Sequence, residues 1–377
     1  MEYKKWYDTS TTTSLLGFGC MRFNLNDKGE VDENIATKLI TKAYENGVNY
    51  FDTAMPYLNG KSEPFVGKVL DRYPRDTYYL ATKLTLGMVK TEEVDTILDK
   101  QLKTLNKDYI DFYLLHALNK KVFERIKEER ILEKLIEWKK QGKIRNIGFS
   151  FHDDSKTFFE ILNYFNWDFV QLQINYIDIN IQQGMDGYLE CEKRKIPIVV
   201  MEPAKGGKLS NFHPDAQSIL LDYKPHCSLT SFAMRYVGSL PGVKCILSGM
   251  NQMDQLDDNL KTFNNFEVLN ATEYLLIEQV KKKLKTLIKV GCTSCKYCIP
   301  CPKNVDIPAN FNILNDYFMY KSQQGIRFAY SMLANKQQTF LNCIDCKKCV
   351  PKCPQAIDIP NHLKEMKVDL NFLIDEK

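Results

Sequence analysis

Eight of the twelve cysteines of the chain form two closely spaced runs near its C-terminus. Two intervening residues let successive thiolates turn back on one small object, and four thiolates satisfy the four irons of a 4Fe-4S cube. A proline follows each run, and the second run has the spacing of bacterial ferredoxins. The pattern therefore predicts two 4Fe-4S clusters and electron transfer, with these ligands: Cys292, Cys295, Cys298, Cys301 and Cys343, Cys346, Cys349, Cys353.

The sequence after each run repeats, because Cys301–Pro308 and Cys353–Pro360 both read Cys-Pro, three variable or apolar residues and Asp-Ile-Pro. In two-cluster ferredoxins the fourth cysteine of a run ligates the cluster of the other run. This predicts that Cys353 completes the first cluster and that Cys301 completes the second. A pair of structural zinc sites is the alternative, since Cys-x-x-Cys also suits tetrahedral zinc. Two runs of four closely spaced thiolates, each followed by proline, favour iron-sulfur clusters.

Short apolar stretches alternate with amphipathic ones along the first 270 residues. Eight strand-then-helix units predict an α/β fold, a parallel (β/α)8 TIM barrel, with Lys4–Thr13 left over as a hairpin before it. A doubly wound sheet is the competing architecture, and no glycine-rich turn after an early strand supports it. The predicted strands lie near Leu15–Gly19, Tyr50–Asp52, Tyr78–Thr82, Ile110–Leu115, Ile144–Phe149, Phe169–Ile174, Ile198–Met201 and Val243–Leu247.

Four polar residues follow or end neighbouring predicted strands. Asp52 ends the second strand and Tyr57 lies in the loop after it, while Lys83 and His116 close the third and fourth. Chemistry in such barrels gathers at the C-terminal ends of the strands. Each residue alone has a structural explanation, such as a cap, a packing aromatic or a surface lysine. Their joint placement indicates an active site.

These residues lie in motifs that resemble the active-site motifs of the aldo-keto reductase family. The matching stretches are Asp52–Glu63, Ala81–Lys83, Asp111–His116, Gly148–Ser150, Gln171, Ser248–Gly249 and Asp258–Asn259. The resemblance covers roughly residues 10 to 265, and the cysteine runs are similar to the iron-sulfur branch of the same family. It implies a nicotinamide dinucleotide bound across the barrel mouth and a small carbonyl substrate, an aldehyde or ketone, reduced to an alcohol.

The residue types suit that chemistry. Hydride delivered to a carbonyl carbon builds negative charge on its oxygen, which needs a proton donor and electropositive surroundings. Tyr57 is expected to donate the proton, and the Lys83 cation is expected to lower the pKa of its phenol from about 10. Asp52 would hold Lys83 charged and oriented. His116 would complete the pocket for the carbonyl oxygen or relay a proton.

The resemblance also implies a set of cofactor contacts, in which several positions depart from the common pattern, among them Phe151, which follows Ser150 where the family often has asparagine. Met201 stands where the family commonly stacks a tyrosine on the nicotinamide. Gly249 and Gln255 stand where members selective for NADP carry a lysine and an arginine, so the sequence favours NAD over NADP unless Lys205 or Lys208 reaches in. The expected contacts are Ser150, Gln171, Met201, Ser248, Gly249, Gln255, Asp258 and Asn259.

Hydride chemistry moves two electrons together, whereas each cluster passes one. Nicotinamide-dependent carbonyl reduction is the first hypothesis. The alternative is a ferredoxin-linked oxidoreductase that uses the clusters as an electron conduit and has ferredoxin or another redox protein as partner. A non-catalytic redox sensor is a third hypothesis, against which the complete polar quartet argues. No flavin fingerprint is evident, although barrels bind flavin phosphate without a sharp motif, so flavin is not excluded.

Composition limits the partners and the compartment. A net charge of +4 without a concentrated basic stretch gives no case for nucleic acid. No signal core and no bilayer-length apolar run are found, so no membrane association is expected. Thiolate clusters need a reducing compartment, which predicts a cytoplasmic protein. The remaining cysteines are expected to be small core residues: Cys20, Cys191, Cys227 and Cys245.

Three parts are predicted along the chain. Residues 1–270 form the barrel, residues 271–290 a connecting helix, and residues 291–377 the two-cluster ferredoxin-like domain. The stretch between the cysteine runs carries enough apolar residues for two helices, and Pro308 and Pro360 stand where helices begin. The C-terminal domain is therefore expected to be mainly α-helical.

Overall fold

A short hairpin precedes the barrel. The computed structural model describes residues 1–7 and 10–374. Strands β1 (Tyr3–Lys5) and β2 (Thr12–Ser14) pair antiparallel, as predicted for this segment. Asp8 and Thr9 of the predicted hairpin lie outside the described residues.

Eight parallel strands then close into a barrel, which confirms the predicted fold. They follow one another around the barrel in chain order, and the last pairs with the first. Four strands, the third, fourth, fifth and eighth of the barrel, continue past their predicted ends. The barrel strands are β3 (Leu16–Gly19), β4 (Tyr50–Asp52), β5 (Tyr79–Leu84), β6 (Ile110–Leu118), β7 (Ile144–Phe151), β8 (Phe169–Gln173), β9 (Ile198–Met201) and β10 (Val243–Ser248).

Helices alternate with these strands. In the first, Asp32 caps the helix by accepting a hydrogen bond from the Ile35 backbone N–H, and apolar residues at helical spacing face the core. The helices up to residue 264 are α1 (Glu33–Glu45), α2 (Ser62–Leu70), α3 (Val94–Leu105), α4 (Lys120–Glu128), α5 (Ile131–Lys140), α6 (Ser155–Tyr164), α7 (Gly184–Lys193), α8 (Pro214–Leu221), α9 (Leu229–Gly238) and α10 (Met253–Asn264).

Aromatic side chains fill the N-terminal end of the barrel. Trp6 of the hairpin is buried against Phe112, with ring centroids 4.6 Å apart, and Phe112 in turn meets Tyr50 and Phe169. These residues stand at or near the starts of their strands. Because this end is packed with rings, the polar side chains near the C-terminal strand ends are left to form a site.

The chain divides into two compact units, residues 1–206 with 230–269 and residues 207–229 with 270 onward. Helix α8 therefore groups with the second unit, where it packs against α11 (Ala271–Thr286). The sequence analysis had counted Gly207–Leu229 with the barrel. Its division at residues 270 and 290 remains a prediction.

The second unit is built from helices, as predicted, and its described residues contain no β-strand. Helices α12 (Ile307–Tyr320), α13 (Gln323–Ala334) and α14 (Ile359–Asp369) follow α11. Pro308 and Pro360 lie in the first turns of α12 and α14, where a missing N–H costs nothing. Among the described residues of the whole chain, none of the helices combines the length and apolar character that crossing a bilayer requires.

Candidate active site and metal centre

A buried ion pair lies at the centre of the candidate active site. Asp52 ends β4, and its neighbour in the β5 register is Ala81, so Lys83 follows two residues later on the same face. Lys83 Nζ donates to Asp52 Oδ1 at 2.6 Å and to the Thr53 carbonyl oxygen at 2.7 Å. Burial lowers the pKa of Lys83, but the Asp52 carboxylate and Tyr57 outweigh it and the net pKa is raised. Lys83 is therefore a fixed cation.

Tyr57 stands over this cation. Its ring centroid is 4.8 Å from Lys83 Nζ, and it meets the His116 ring edge to face at 6.0 Å. The turn after Tyr57 takes two left-handed residues, Leu58 at φ 54° and Asn59 at φ 56°, which is a conformation that L-residues disfavour. Burial raises the pKa of the Tyr57 phenol, and the opposing effect of Lys83 does not reverse this. The sequence analysis had expected the lysine to dominate.

His116 is held by a residue that the sequence analysis did not single out. Strand β6 shifts register between Leu115 and Leu118, and this irregularity contains His116. Its Nδ1 lies 2.6 Å from Thr85 Oγ1. Burial, with the charges of Lys83 and His152, lowers the pKa of His116 to about 3, so the ring is neutral at physiological pH. The signal for Thr85 is its position, since it follows the last residue of β5 and comes two residues after Lys83.

Replacing Thr85 with valine is expected to lower kcat for carbonyl reduction by about tenfold, the value of one hydrogen bond in a positioned site. Without the hydroxyl, His116 loses the partner that fixes its ring and tautomer. Steady-state kinetics and nitrogen-15 NMR of the imidazole test this. Thr85→Ser keeps the hydroxyl and should retain both kcat and the tautomer signature. Equal kcat in Thr85→Val and the unmodified chain would contradict the role.

The pH dependence of reduction follows from the two shifted groups. A His116 with a pKa of about 3 and a Tyr57 phenol with a raised pKa keep one protonation state each through the neutral range. We therefore expect kcat/KM to be flat from about pH 6 to pH 9, and the donor to be lost only as pH rises above the ordinary tyrosine value of about 10. A pH–rate profile measures this. An inflection near pH 6.5 that disappears in His116→Asn would contradict it.

A second network of buried hydrogen bonds holds strand β5 in place next to the ion pair. Glu63 Oε1 accepts from Thr82 Oγ1 at 2.6 Å and from Gln101 Nε2 at 2.8 Å. Gln101 Nε2 also donates to the Lys83 carbonyl oxygen at 3.1 Å and its Oε1 accepts from Tyr113 at 2.6 Å. This network holds the backbone on both sides of Lys83. The sequence pattern indicated no role for Glu63, although it lies within a motif, or for Gln101.

Three predicted cofactor residues lie together on adjacent strands. Ser150 and Gln171 are register partners on β7 and β8, and Gln171 Nε2 lies 3.7 Å from Met201 Sδ on β9. The Ser150 hydroxyl accepts from the Ala117 backbone N–H at 2.8 Å, which leaves its own hydrogen to donate. Gln171 Oε1 is buried without a hydrogen-bond partner. A buried amide oxygen of this kind fits a ligand with an N–H donor, such as a carboxamide.

The remaining cofactor positions surround the start of α10. Asn259 Nδ2 donates to Ser248 Oγ at 3.0 Å, and Asn259 Oδ1 is buried without a partner. Gln255 Oε1 accepts from the Asn251 backbone N–H at 3.0 Å. Gly249 is exposed, and Asp258 lies one turn into the helix. The structure thus groups Ser248 with Asn259, while Gln255 turns back to its own loop.

One cation near this segment was not predicted. A Cβ on Gly249 would come within 3.0 Å of Arg22 Cδ, and Arg22 Nη2 lies 3.3 Å from Glu202 Oε1. Lys205, which the sequence analysis considered as a phosphate contact, donates instead to both carboxylate oxygens of Asp178 at 2.7 and 2.6 Å. Lys208 pairs with Asp316 within the second unit.

The cysteine runs surround a cavity. Its lining includes Cys292, Cys295, Cys298 and Cys353, the grouping expected for the first cluster, around an empty volume of about 320 Å³ that is partly open to solvent. Burial and the neighbouring thiols of Cys343, Cys298 and Cys301 raise the pKa of Cys349 to about 11, so cysteines of the two runs lie near one another.

None of these cysteines forms a disulfide. Within residues 1–7 and 10–374, no three His, Cys, Asp or Glu side chains are arranged to hold a metal ion directly. The four thiols that line the cavity would supply one thiolate to each iron of a 4Fe-4S cube. Cys295 and Cys346, the second cysteines of the two runs, are exposed, whereas Cys298 is buried.

Comparison with known proteins places these features in a family. The model of the aldo/keto reductase family matches residues 15–282, and that of a 4Fe-4S dicluster domain matches residues 291–357. L-galactose dehydrogenase of Arabidopsis thaliana is 25% identical over 315 residues, which cover 76% of this chain and 96% of that protein. NADH-specific methylglyoxal reductase of Escherichia coli is 25% identical over 319 residues, 70% of this chain and 94% of that protein.

Solved structures agree with these matches. The holo form of an aldo-keto reductase from Bacillus halodurans has a TM-score of 0.62 and 25% identity, and the match covers 74% of this chain and 96% of that one. A thermostable aldo-keto reductase, solved with the inhibitor epalrestat, shares the fold with a TM-score of 0.63 at 24% identity over 74% of this chain and all of that one. The chain therefore belongs to the aldo/keto reductase family, as an oxidoreductase of the iron-sulfur branch with a 4Fe-4S dicluster domain at its C-terminus.

Proposed function

We propose that this oxidoreductase reduces a small aldehyde or ketone to an alcohol with hydride from a nicotinamide dinucleotide, and that NADH is preferred. The observation that carries the proposal is the placement of the Tyr57 ring 4.8 Å from the buried Lys83 ammonium at the C-terminal end of the barrel. A phenol beside a fixed cation can donate a proton, because the positive charge stabilises the phenolate that forms.

The dinucleotide, when bound, supplies hydride to the carbonyl carbon. Two buried amide oxygens without partners, Gln171 Oε1 and Asn259 Oδ1, support its binding, because each needs a donor that the protein does not provide. Ser150 would donate its hydroxyl hydrogen and Gln171 would accept, which together suit a carboxamide. Met201, beside Gln171, would pack against a ring through its polarizable sulfur.

The protein's own residues complete the reaction. The Tyr57 O–H gives its proton to the carbonyl oxygen as hydride reaches the carbon, so the product is a neutral alcohol and Tyr57 becomes a phenolate. Lys83 stabilises that phenolate, and Asp52 keeps Lys83 charged in a buried place. His116 is neutral, and a hydrogen bond from Thr85 to its Nδ1 would leave Nε2–H to donate to the carbonyl oxygen.

The preference for NADH is supported by the charges around α10. The cations that could meet a 2′-phosphate are already paired with carboxylates, Arg22 with Glu202 and Lys205 with Asp178. Gln255 bonds its own loop and carries no charge. A phosphate at this place would gain no free charge-assisted hydrogen bond from these residues.

Replacing Gln255 with arginine is expected to raise kcat/KM for NADPH by roughly tenfold, because one charge-assisted contact contributes about 1.4 kcal/mol or more. The value for NADH should change little. Steady-state kinetics with both dinucleotides measure this. Gln141→Arg, which adds the same charge at the exposed end of α5, is the matched control. A rise in both variants, or in neither, would count against the assignment of this position.

The proposal is tested with protein purified without oxygen, with iron and sulfide measured, and with flavin content read from the visible spectrum. Oxidation of NADH and NADPH is then followed with a panel of aldehydes and ketones. Carbonyl-dependent oxidation, faster with NADH, is expected. The absence of any carbonyl-dependent oxidation by cluster-loaded protein would overturn the proposal.

A second candidate is a ferredoxin-linked oxidoreductase, in which the clusters deliver electrons one at a time. The exposure of Cys295 and Cys346 favours it, because an electron carrier must approach a cluster closely. Substrate reduction that requires reduced ferredoxin and ignores both nicotinamides would select this candidate over the first.

A further inference from the structure

We propose that the face formed by the two cysteine runs, Cys292–Lys303 and Cys343–Pro354, is the docking surface for an acidic protein that carries one electron at a time. We call this face the cluster face. The proposal rests on the clusters and does not depend on carbonyl reduction at the barrel. It deepens the second candidate function by naming the chemistry of the partner and the surface that receives it.

The cluster face carries the net charge of the chain. Its two runs contain five lysines and one acidic residue, Asp345, so they sum to +4, which equals the formal charge of the whole chain. The rest of the chain is therefore balanced. All five lysines are exposed: Lys296, Lys303, Lys347, Lys348 and Lys352. None of them forms an ion pair with another residue in the described part of the chain, whereas many barrel lysines do.

Apolar side chains lie among these charges. Tyr297 is 66% exposed and Ile344 is 59% exposed, and each stands inside a cysteine run, next to Cys298 and Cys343 respectively. Large apolar residues at this exposure gain little from folding, so they are available for a partner. A small apolar centre within a charged rim is typical of transient protein interfaces, such as those of redox partners.

The exposed cysteines indicate which kind of partner binds this face. Cys295 and Cys346 are equivalent by the internal repeat, and both are exposed on this face. A positive surface directly over the expected cluster ligands would attract a negatively charged carrier and orient it toward the metal. Five lysines could also attract the phosphates of a nucleic acid, but the cysteines between them offer a nucleic acid no hydrogen bond or charge. We therefore assign the surface to an acidic one-electron carrier.

The transfer itself is balanced. The reduced carrier loses one electron and a cluster gains one, with no bond broken and no proton moved. Two successive carriers would supply one electron to each cluster.

The test uses the cluster-loaded chain and an acidic flavodoxin in its fully reduced form, whose flavin absorbance reports electron loss separately from the clusters. Stopped-flow mixing without oxygen gives the second-order rate constant, and calorimetry with oxidised flavodoxin gives the affinity. We expect the rate constant to fall steeply as salt rises. We expect Lys347→Glu with Lys348→Glu to lower it about tenfold or more at low salt and to weaken binding.

Two controls keep the result interpretable. Lys38→Glu with Lys103→Glu makes the same charge change on exposed residues of α1 and α3 and should leave the rate constant unchanged. Iron and sulfide content must match in all proteins. If the first pair of changes impairs cluster loading, Lys303→Glu with Lys352→Glu takes its place.

Two outcomes would overturn the proposal: a rate constant that ignores salt, or equal rate constants in the cluster-face and control variants. Binding of duplex DNA that the cluster-face variant loses, with flavodoxin unaffected, would assign the surface to nucleic acid. NADH-dependent carbonyl reduction is measured in the same proteins. Its absence, beside salt-dependent flavodoxin oxidation, would refute only the carbonyl proposal.

Discussion

Tyr57→Phe is expected to lower kcat for carbonyl reduction by about 10²- to 10⁴-fold, the range that a positioned proton donor contributes. The change removes one oxygen and leaves the ring that packs over Lys83 and against His116. Without the Tyr57 hydroxyl, the alkoxide formed by hydride transfer has no positioned proton donor. The positive charge of Lys83 remains, so some residual turnover is expected instead of none.

Nucleotide binding separates this role from a structural one. Because the proposed cofactor contacts lie on β7 to β10 and around α10 and do not include Tyr57, NADH quenching of protein fluorescence should give the same Kd for Tyr57→Phe as for the unmodified chain. Tyr73→Phe is the matched control, since it also removes a partly buried hydroxyl, one that bonds Thr41 Oγ1 at 3.1 Å. Undiminished carbonyl reduction by Tyr57→Phe, or an equal loss in both variants, would refute the assignment.

The barrel and the core of the site could be predicted because both depend on local patterns. Apolar periods of two and 3.6 residues mark strands and helices, and parallel strands bring their C-terminal ends to one rim. Asp52 and Lys83 could therefore be expected near each other from sequence alone. The net direction of the Tyr57 pKa could not, because it depends on how deeply the ring is buried, and burial outweighs the lysine.

What the sequence did not predict depends on distant contacts. Arg22 meets Glu202 across 180 positions of the chain, and Gln101 reaches Glu63 and the Lys83 backbone from a neighbouring helix. No short motif encodes such contacts. The grouping of Gly207–Leu229 with the second unit also depends on contacts between residues that are distant in the sequence. There Lys224 pairs with the fully buried Glu273 at 2.9 Å, and Lys283 pairs with Asp215 at 2.9 Å.

The internal repeat of the cysteine runs predicts that the fourth cysteine of each run ligates the cluster of the other run. Measurement of iron content tests this prediction. Cys353→Ser is expected to remove or degrade one cluster and to leave the other, so that about half of the iron is lost from a chain that holds two four-iron cubes. Anaerobic iron and sulfide analysis and the electron paramagnetic resonance of the reduced protein measure this. Cys227→Ser, a partly buried cysteine outside both runs, is the control that should lose no iron.

Paired substitutions show which cluster Cys353 serves. In the structure Cys353 lines one cavity with Cys292, Cys295 and Cys298. If these four hold one cluster, Cys295→Ser with Cys353→Ser removes two ligands of the same cube and loses no more iron than Cys353→Ser alone. Cys346→Ser with Cys353→Ser then removes one ligand from each cube and loses nearly all of the iron. The reverse pattern would mean that each run holds its own cluster, and the exchange inferred from the repeat would be wrong.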